Sequence, residues 1–162
     1  MTEDHRLPFR RQRLRIDGFD YSDPAFVYFA TLCASRESQP FNDARLAQQV
    51  IDAINWSRAA GRWRVFCHCL MPEHLHLAIS TGRSGMNLSR VIGAFKTWTT
   101  RLAWQSGVRG GLWQRSWYDH VARQEEDLLT ICEYIINNPV RCGLVEEAAA
   151  WPYSGMLDPL PL

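Results

Sequence analysis

The sequence predicts an α+β fold of the ferredoxin-like, split βαβ kind: an antiparallel sheet with helices packed on one face and one further helix at the C-terminal end. Three observations predict it. Short aromatic and β-branched runs alternate with helix-period segments in the order β-α-β-β-α-β, a third helical segment follows the last strand, and no repeat, linker or low-complexity stretch interrupts the series. The 162 residues suit one domain, 1–162, that begins with an Arg-rich arm over about residues 1–20. A composition of 46% hydrophobic and 22% charged residues excludes intrinsic disorder, collagen and coiled coil.

The elements follow in order. FVYFATLCA (26–34) reads as a buried strand. Residues 43–60 place Leu46, Val50 and Ile54 on helical spacing, with Asn42 or Asp43 as the cap and Gly61 closing the end. WRVFCHCLM (63–71) and HLHLAIS (74–80) alternate as two strands, and Pro72 with Glu73 makes the corner of a hairpin. LSRVIGAFKTWTTRLAW (88–104) repeats apolar residues at Leu88, Val91, Ile92, Phe95, Trp98 and Leu102, which predicts a helix with Trp98 in the core and a basic outer face. LWQRSWYDHVAR (112–123) reads as the last strand. EEDLLTICEYIINN (125–138) is a helix that starts acidic, as its dipole prefers, and Pro139 ends it at Asn138.

The net charge of +1 hides a separation into blocks. Residues 1–15 hold five Arg against two acids, and 83–123 hold seven basic residues against Asp119 alone; the tail from 124 holds Arg141 against seven acids. A basic stretch of this kind supplies an electrostatic footprint for phosphates whatever the total. The arm (Arg10, Arg11, Arg13, Arg15), the second helix (Arg90, Lys96, Arg101) and the cations nearest the motifs (Arg115, Arg123, Arg141) are therefore the candidates for phosphate contact. No stretch approaches the roughly 18 apolar residues of a membrane span, and the N-terminus lacks the apolar run of a signal peptide, so no membrane partner and a cytoplasmic location are expected. Five cysteines without zinc-knuckle spacing read as small core residues.

Two groups of residues can carry chemistry. In His74-Leu75-His76, strand alternation sends both imidazoles out of one face while Leu75, Leu77 and Ile79 enter the core, so the pair can converge on one ion; taken alone, it fits a structural role as well. His68, among apolar neighbours, reads as structural. In the third helix Leu128, Ile131, Cys132 and Ile135 form the buried stripe, while Tyr134, Asn138 and Arg141 share an adjoining face. Were this face to meet the histidines, two imidazoles, a carboxamide oxygen and a phenol would form a ligand set tolerant of Mg²⁺ or Mn²⁺ with a nucleophile beside it. Tyr118 is a competing phenol without a ligand one turn on, and Asp119 and His120 are possible supporting residues.

Four blocks in order, LMPEHLHLAI (70–79), WQRSWYDHVAR (113–123), YIINNPVRCGLV (134–145) and WPYS (151–154), resemble the REP-associated tyrosine transposases, relatives of the single-tyrosine transposases of small bacterial insertion sequences within the HUH nuclease superfamily. The resemblance spans residues 63–154. It implies that His74, His76 and Asn138 are metal ligands for Mg²⁺ or Mn²⁺, that the last helix is catalytic, and that Tyr134 is the nucleophile. It further implies a single-stranded or hairpin DNA substrate, bearing repeat sequence, cut through a 5′-phosphotyrosine intermediate by a monomer or homodimer. Two other readings fit the residues: a nucleic-acid-binding module on the same fold that does not cut, and a His-based metal hydrolase using water.

Overall fold

The computed structural model describes residues 20–35, 38–82, 84–122 and 125–161, with backbone alone at 118–120, 122 and 125–127. The order is β1 (Val27–Cys33), α1 (Ala44–Ala59), β2 (Trp63–Leu70), β3 (His74–Thr81), α2 (Leu88–Gln105), β4 (Tyr118–Ala122), α3 (Glu125–Ile136), α4 (Asn138–Arg141) and β5 (Ser154–Met156). The strands lie in the order β4-β1-β3-β2-β5, each neighbouring pair antiparallel. Apart from the added edge strand β5, this is the split βαβ sheet expected.

Local chemistry accounts for the boundaries. The Asp43 carboxylate accepts from the Arg45 and Leu46 amides to open α1, and the Asn87 side chain accepts from the Arg90 amide to open α2. Past α1 the chain turns through Gly61 at φ +72°. Gly82 leaves β3 against that turn, its N–H donating to the Arg62 carbonyl at 3.1 Å; a side chain there would overlap the Gly61 carbonyl oxygen.

Strand alternation divides the core between the two faces of the sheet. Tyr28, Leu32, Val65, Leu75, Leu77 and Ile79 pack against α1 and α2. Val27, Phe29, Cys67, Cys69, Met71 and Ala78 pack against Leu128, Ile131, Cys132 and Ile135 of α3. A register shift between Val65 and Cys67 turns both Phe66 and Cys67 to the α3 face.

Three expectations are corrected. The last strand begins at Tyr118, because Leu112 and Trp113 bury themselves as a crossing segment: Trp113 bridges to Ala34, and the Gln114 amide donates to Cys33 O at 2.8 Å. Trp98 is 50% exposed. The interior position is taken by Thr99, whose hydroxyl donates to Phe95 O at 2.8 Å and accepts from Trp113 Nε1 at 2.8 Å. Finally α3 stops at Ile136, and the chain makes a new turn, α4, with Asn137 as its cap and Pro139 in its first turn.

A buried imidazole and a part-buried ion pair make stability pH-dependent. Desolvation holds the His68 imidazole down at about 4, against an ordinary 6.5. The unfolded chain then takes up its proton first, so stability should be full above about pH 6.5 and fall as pH drops towards 4. Urea midpoints of wild type should decline over that window more steeply than those of His68→Gln. At the other end of the chain, Arg58 donates to both carboxylate oxygens of Asp158 at 2.9 and 2.8 Å, and Val65 N–H donates to the same carboxylate at 2.8 Å. The Arg58 hydrogen bond holds the Asp158 carboxyl below its ordinary value of 3.8, so this contact is present at neutral pH and is lost only as acid titrates the carboxylate below that value. Asp158→Asn should cost about 1–2 kcal/mol at pH 7 in the same assay, and a loss under a few tenths would show that the tail is not held this way.

Candidate active site

The third strand places the imidazoles. Leu75, Leu77 and Ile79 occupy the core under α1 and α2, so His74 and His76 leave the sheet on the face that carries α3. Their ring centroids are 4.5 Å apart at 72°. Each Nδ1 has a partner: Thr31 Oγ1, across on β1, lies 3.0 Å from that of His76, and Glu73 Oε1 lies 3.2 Å from that of His74. A carboxylate at Nδ1 draws the proton there, the tautomer that presents Nε2 as the donor atom for a metal.

The tyrosine helix sits on the same face. Leu128, Ile131, Cys132 and Ile135 anchor it to the sheet, as their spacing predicts, and leave Tyr134 half-buried beside them. The guanidinium of Arg141, seven residues on, lies 3.5 Å over the Tyr134 ring centroid. This cation–π contact puts fixed positive charge beside the phenol. Asn138 is only 1% exposed. Its Oδ1 accepts from Cys142 Sγ at 3.5 Å, and its Nδ2 is buried with no hydrogen-bond partner among the described residues. The Cys142 thiol is pushed up by burial and then by the charge of Glu73.

The unpartnered Nδ2 is a donor and calls for an acceptor, while Oδ1, which accepts only the long Cys142 contact, keeps lone-pair capacity for a cation. Among the described residues no three His, Cys, Asp or Glu side chains gather on one point. Asn138, on the helical layer that packs on this face, has an oxygen of the right chemistry to join the histidine pair as a ligand. Two imidazole nitrogens and one amide oxygen form a borderline-to-hard set that suits Mg²⁺ or Mn²⁺.

The candidate DNA-binding cations fall into three groups. Arg10, Arg11, Arg13, Arg15 and Arg123 lie outside the described residues, as do the side chains of Asp119 and His120, whose backbones pair with Ala30 and Phe29. Arg141 borders Tyr134. On the other layer Arg90 opens α2 and is exposed, while Lys96, Arg101 and Arg115 line one groove of about 300 Å³. Lys96 is tied down there: its Nζ donates to the Gln114 and Arg115 carbonyls at 2.7 and 3.3 Å, and desolvation lowers its pKa. Sequence reasoning missed Thr31, Glu73 and Cys142. The one available signal was Thr31, a lone hydroxyl inside an apolar strand.

Sheet order, a His-x-His strand and a tyrosine helix on the same face define the chain as a transposase of the IS200-like family: that family's model matches residues 26–138, and the chain belongs to it. The particular kin follow. A protein of Haemophilus influenzae that carries the name of a REP-associated tyrosine transposase is 33% identical over 96 residues, 53% of this chain and 54% of that protein. The chain thus spans about half the length of that relative. A second Haemophilus influenzae protein, named only as uncharacterized, is 28% identical over 162 residues, 80% of this chain and 88% of its own. In fold, the chain is similar to a REP-associated tyrosine transposase solved bound to a REP hairpin (TM-score 0.67, 23% identity, 84% of this chain and 79% of that one). It is also similar to a transposase structure from Deinococcus radiodurans (TM-score 0.51, 18% identity, 80% and 97%). The family resemblance drawn from the four sequence blocks is borne out. Among the described residues no helix is long and apolar enough to cross a membrane.

Proposed function

We propose that the chain is a metal-dependent single-stranded DNA endonuclease and strand transferase that acts on hairpin-forming repeat DNA through a covalent 5′-phosphotyrosine. The observation that carries the reading is the docking of the Tyr134 helix on the sheet face that holds His74 and His76, with Arg141 over the phenol ring. Membership of a transposase family supports it, as does the REP hairpin bound by the transposase of similar fold.

His74, His76 and Asn138 would hold Mg²⁺ or Mn²⁺, which when bound neutralises charge on the scissile phosphate and aligns it. Tyr134 Oη attacks phosphorus in line, the phenol loses its proton, and the 3′ oxygen of the preceding nucleotide leaves and is protonated. The Arg141 guanidinium, 3.5 Å over the Tyr134 ring centroid, puts positive charge beside the phenol as its proton leaves. One phosphodiester is exchanged for another, so a 3′-hydroxyl can reverse the step and join strands without a nucleotide cofactor. Exposed Arg90, Arg101, Arg115 and Arg141 would meet DNA phosphates.

The test is a denaturation-resistant adduct between the protein and a labelled hairpin with unpaired flanks in Mn²⁺. Wild type and Tyr118→Phe should form it and Tyr134→Phe should not. An adduct that survives Tyr134→Phe overturns the nucleophile, cleavage without an adduct points to water-based hydrolysis, and tight binding with neither points to a non-cutting module.

A further inference from the structure

Three tryptophans stand half-exposed on the helical layer opposite the catalytic face: Trp56 at 56%, Trp98 at 50% and Trp104 at 54%. One cation contact, one ring stack and the spacing of α2 set them in a row. Arg62 lies 4.8 Å over the Trp56 ring, Trp56 stacks on Trp98 with centroids 6.5 Å apart at 27°, and Trp98, Arg101 and Trp104 follow at three-residue spacing along α2. Arg101 and Trp104 then form one wall of the 300 Å³ groove whose other wall holds Arg115. Among the described residues no acidic side chain lines that groove, and α2 contains none.

Three half-exposed indoles on one helical layer mark a candidate interaction site, and their interleaving with guanidiniums selects the partner. Indole faces accept unpaired bases, guanidiniums accept the phosphates between them, and a stacked duplex offers no free base face. Trp104 has its polar edge already used, Nε1 donating to Gly110 O at 2.7 Å, which fixes the ring plane. The groove wall also touches the catalytic end of the sheet: the Gln114 amide bonds the carbonyl of Cys33, the residue paired with His74. We propose that the Arg62–Trp56–Trp98–Arg101–Trp104–Arg115 belt is a second binding site, for single-stranded nucleic acid, that takes the unpaired flank of a substrate around the end of the sheet from the catalytic face. The identity of that strand as a substrate flank rests on the function proposed above; the preference for unpaired strands over duplex does not.

Fluorescence anisotropy can measure three labelled probes: a bare hairpin, the same hairpin with an unpaired extension, and an unpaired oligothymidylate of the extension's length. In wild type the extension should tighten binding by about tenfold or more. Trp98→Ala/Trp104→Ala should lose that gain and the oligothymidylate affinity while binding the bare hairpin within about twofold. Arg101→Gln/Arg115→Gln, exposed charges whose removal spares the core, should weaken oligothymidylate binding and flatten its salt dependence. Equal affinity for bare and extended hairpins in wild type, an equal loss for both in the Trp variant, or a Trp variant that changes sedimentation but not DNA binding (a protein interface) would each overturn the proposal. Adduct formation measured in parallel separates the two readings. Wild type that forms no adduct yet loses oligothymidylate binding with its tryptophans keeps the belt and discards the nuclease.

Discussion

His76→Ala is expected to abolish adduct formation at any Mn²⁺ concentration that saturates wild type, while leaving the fold in place. The ring is buried on the α3 face and held by Thr31 Oγ1 at 3.0 Å, so alanine removes a nitrogen donor atom from the His74–His76 pair. Loss of an outer partner costs a metal site about 10–100-fold, and loss of a direct ligand costs more. Thr31→Val provides the graded comparison. It keeps the ring but removes its orientation, and should weaken Mn²⁺ binding, followed by its paramagnetic signal, within that 10–100-fold range. Wild-type cleavage by His76→Ala would remove His76 from the ligand set, and unchanged Mn²⁺ affinity in Thr31→Val would make that hydrogen bond purely structural.

The neighbouring residue should behave in the opposite sense. Leu77 is fully buried on the α1–α2 side, between two positions that face α3. Leu77→Ala removes three buried carbons from a packed interior and should cost about 2–5 kcal/mol, read as a lower urea midpoint with an unchanged slope. Per folded molecule, adduct formation should survive, because the strand still presents both imidazoles. A loss below about 1 kcal/mol would mean that the core closes over the gap. Parallel activity losses at 76 and 77 would mean that the two faces of β3 are not mechanically separate.

Much of the fold was legible because burial on a sheet or helix imposes a period. The 26–34 run, the Pro72–Glu73 hairpin and the stripe at Leu128, Ile131, Cys132 and Ile135 each announce one face, and the structure buries those faces. What escaped depends on contacts far along the chain. β5 is three residues long and exists because β2 offers an edge. Residues 112–117 have the aromatic content of a strand, yet Trp113 is drawn under α2 by Thr99. Trp98 has the spacing of a core residue but meets Trp56 at the surface. At the site, spacing could pair His74 with His76 and Tyr134 with Asn138, but it could not bring strand and helix together, which family resemblance implied and the packing of α3 accounts for. Thr31 showed only as a lone hydroxyl in an apolar strand, its cross-strand partner His76 leaving no period, and Glu73 read as a hairpin corner although it meets the next residue, His74.

The helix that carries Tyr134 rests on sulfur. Cys67, Cys69 and Met71 on the sheet meet Cys132 and Cys142 from above, where branched hydrocarbons would be the ordinary choice. The Cys67 thiol is raised by its hydrogen bond to Cys132 and by burial, and burial pushes Cys69 up to about 12. Neither forms appreciable thiolate at neutral pH. The same silence makes them sentinels: alkylation at Cys67 or Cys69 requires the packing over them to open, and its rate is a clock for how often the layer that carries Tyr134 leaves the sheet.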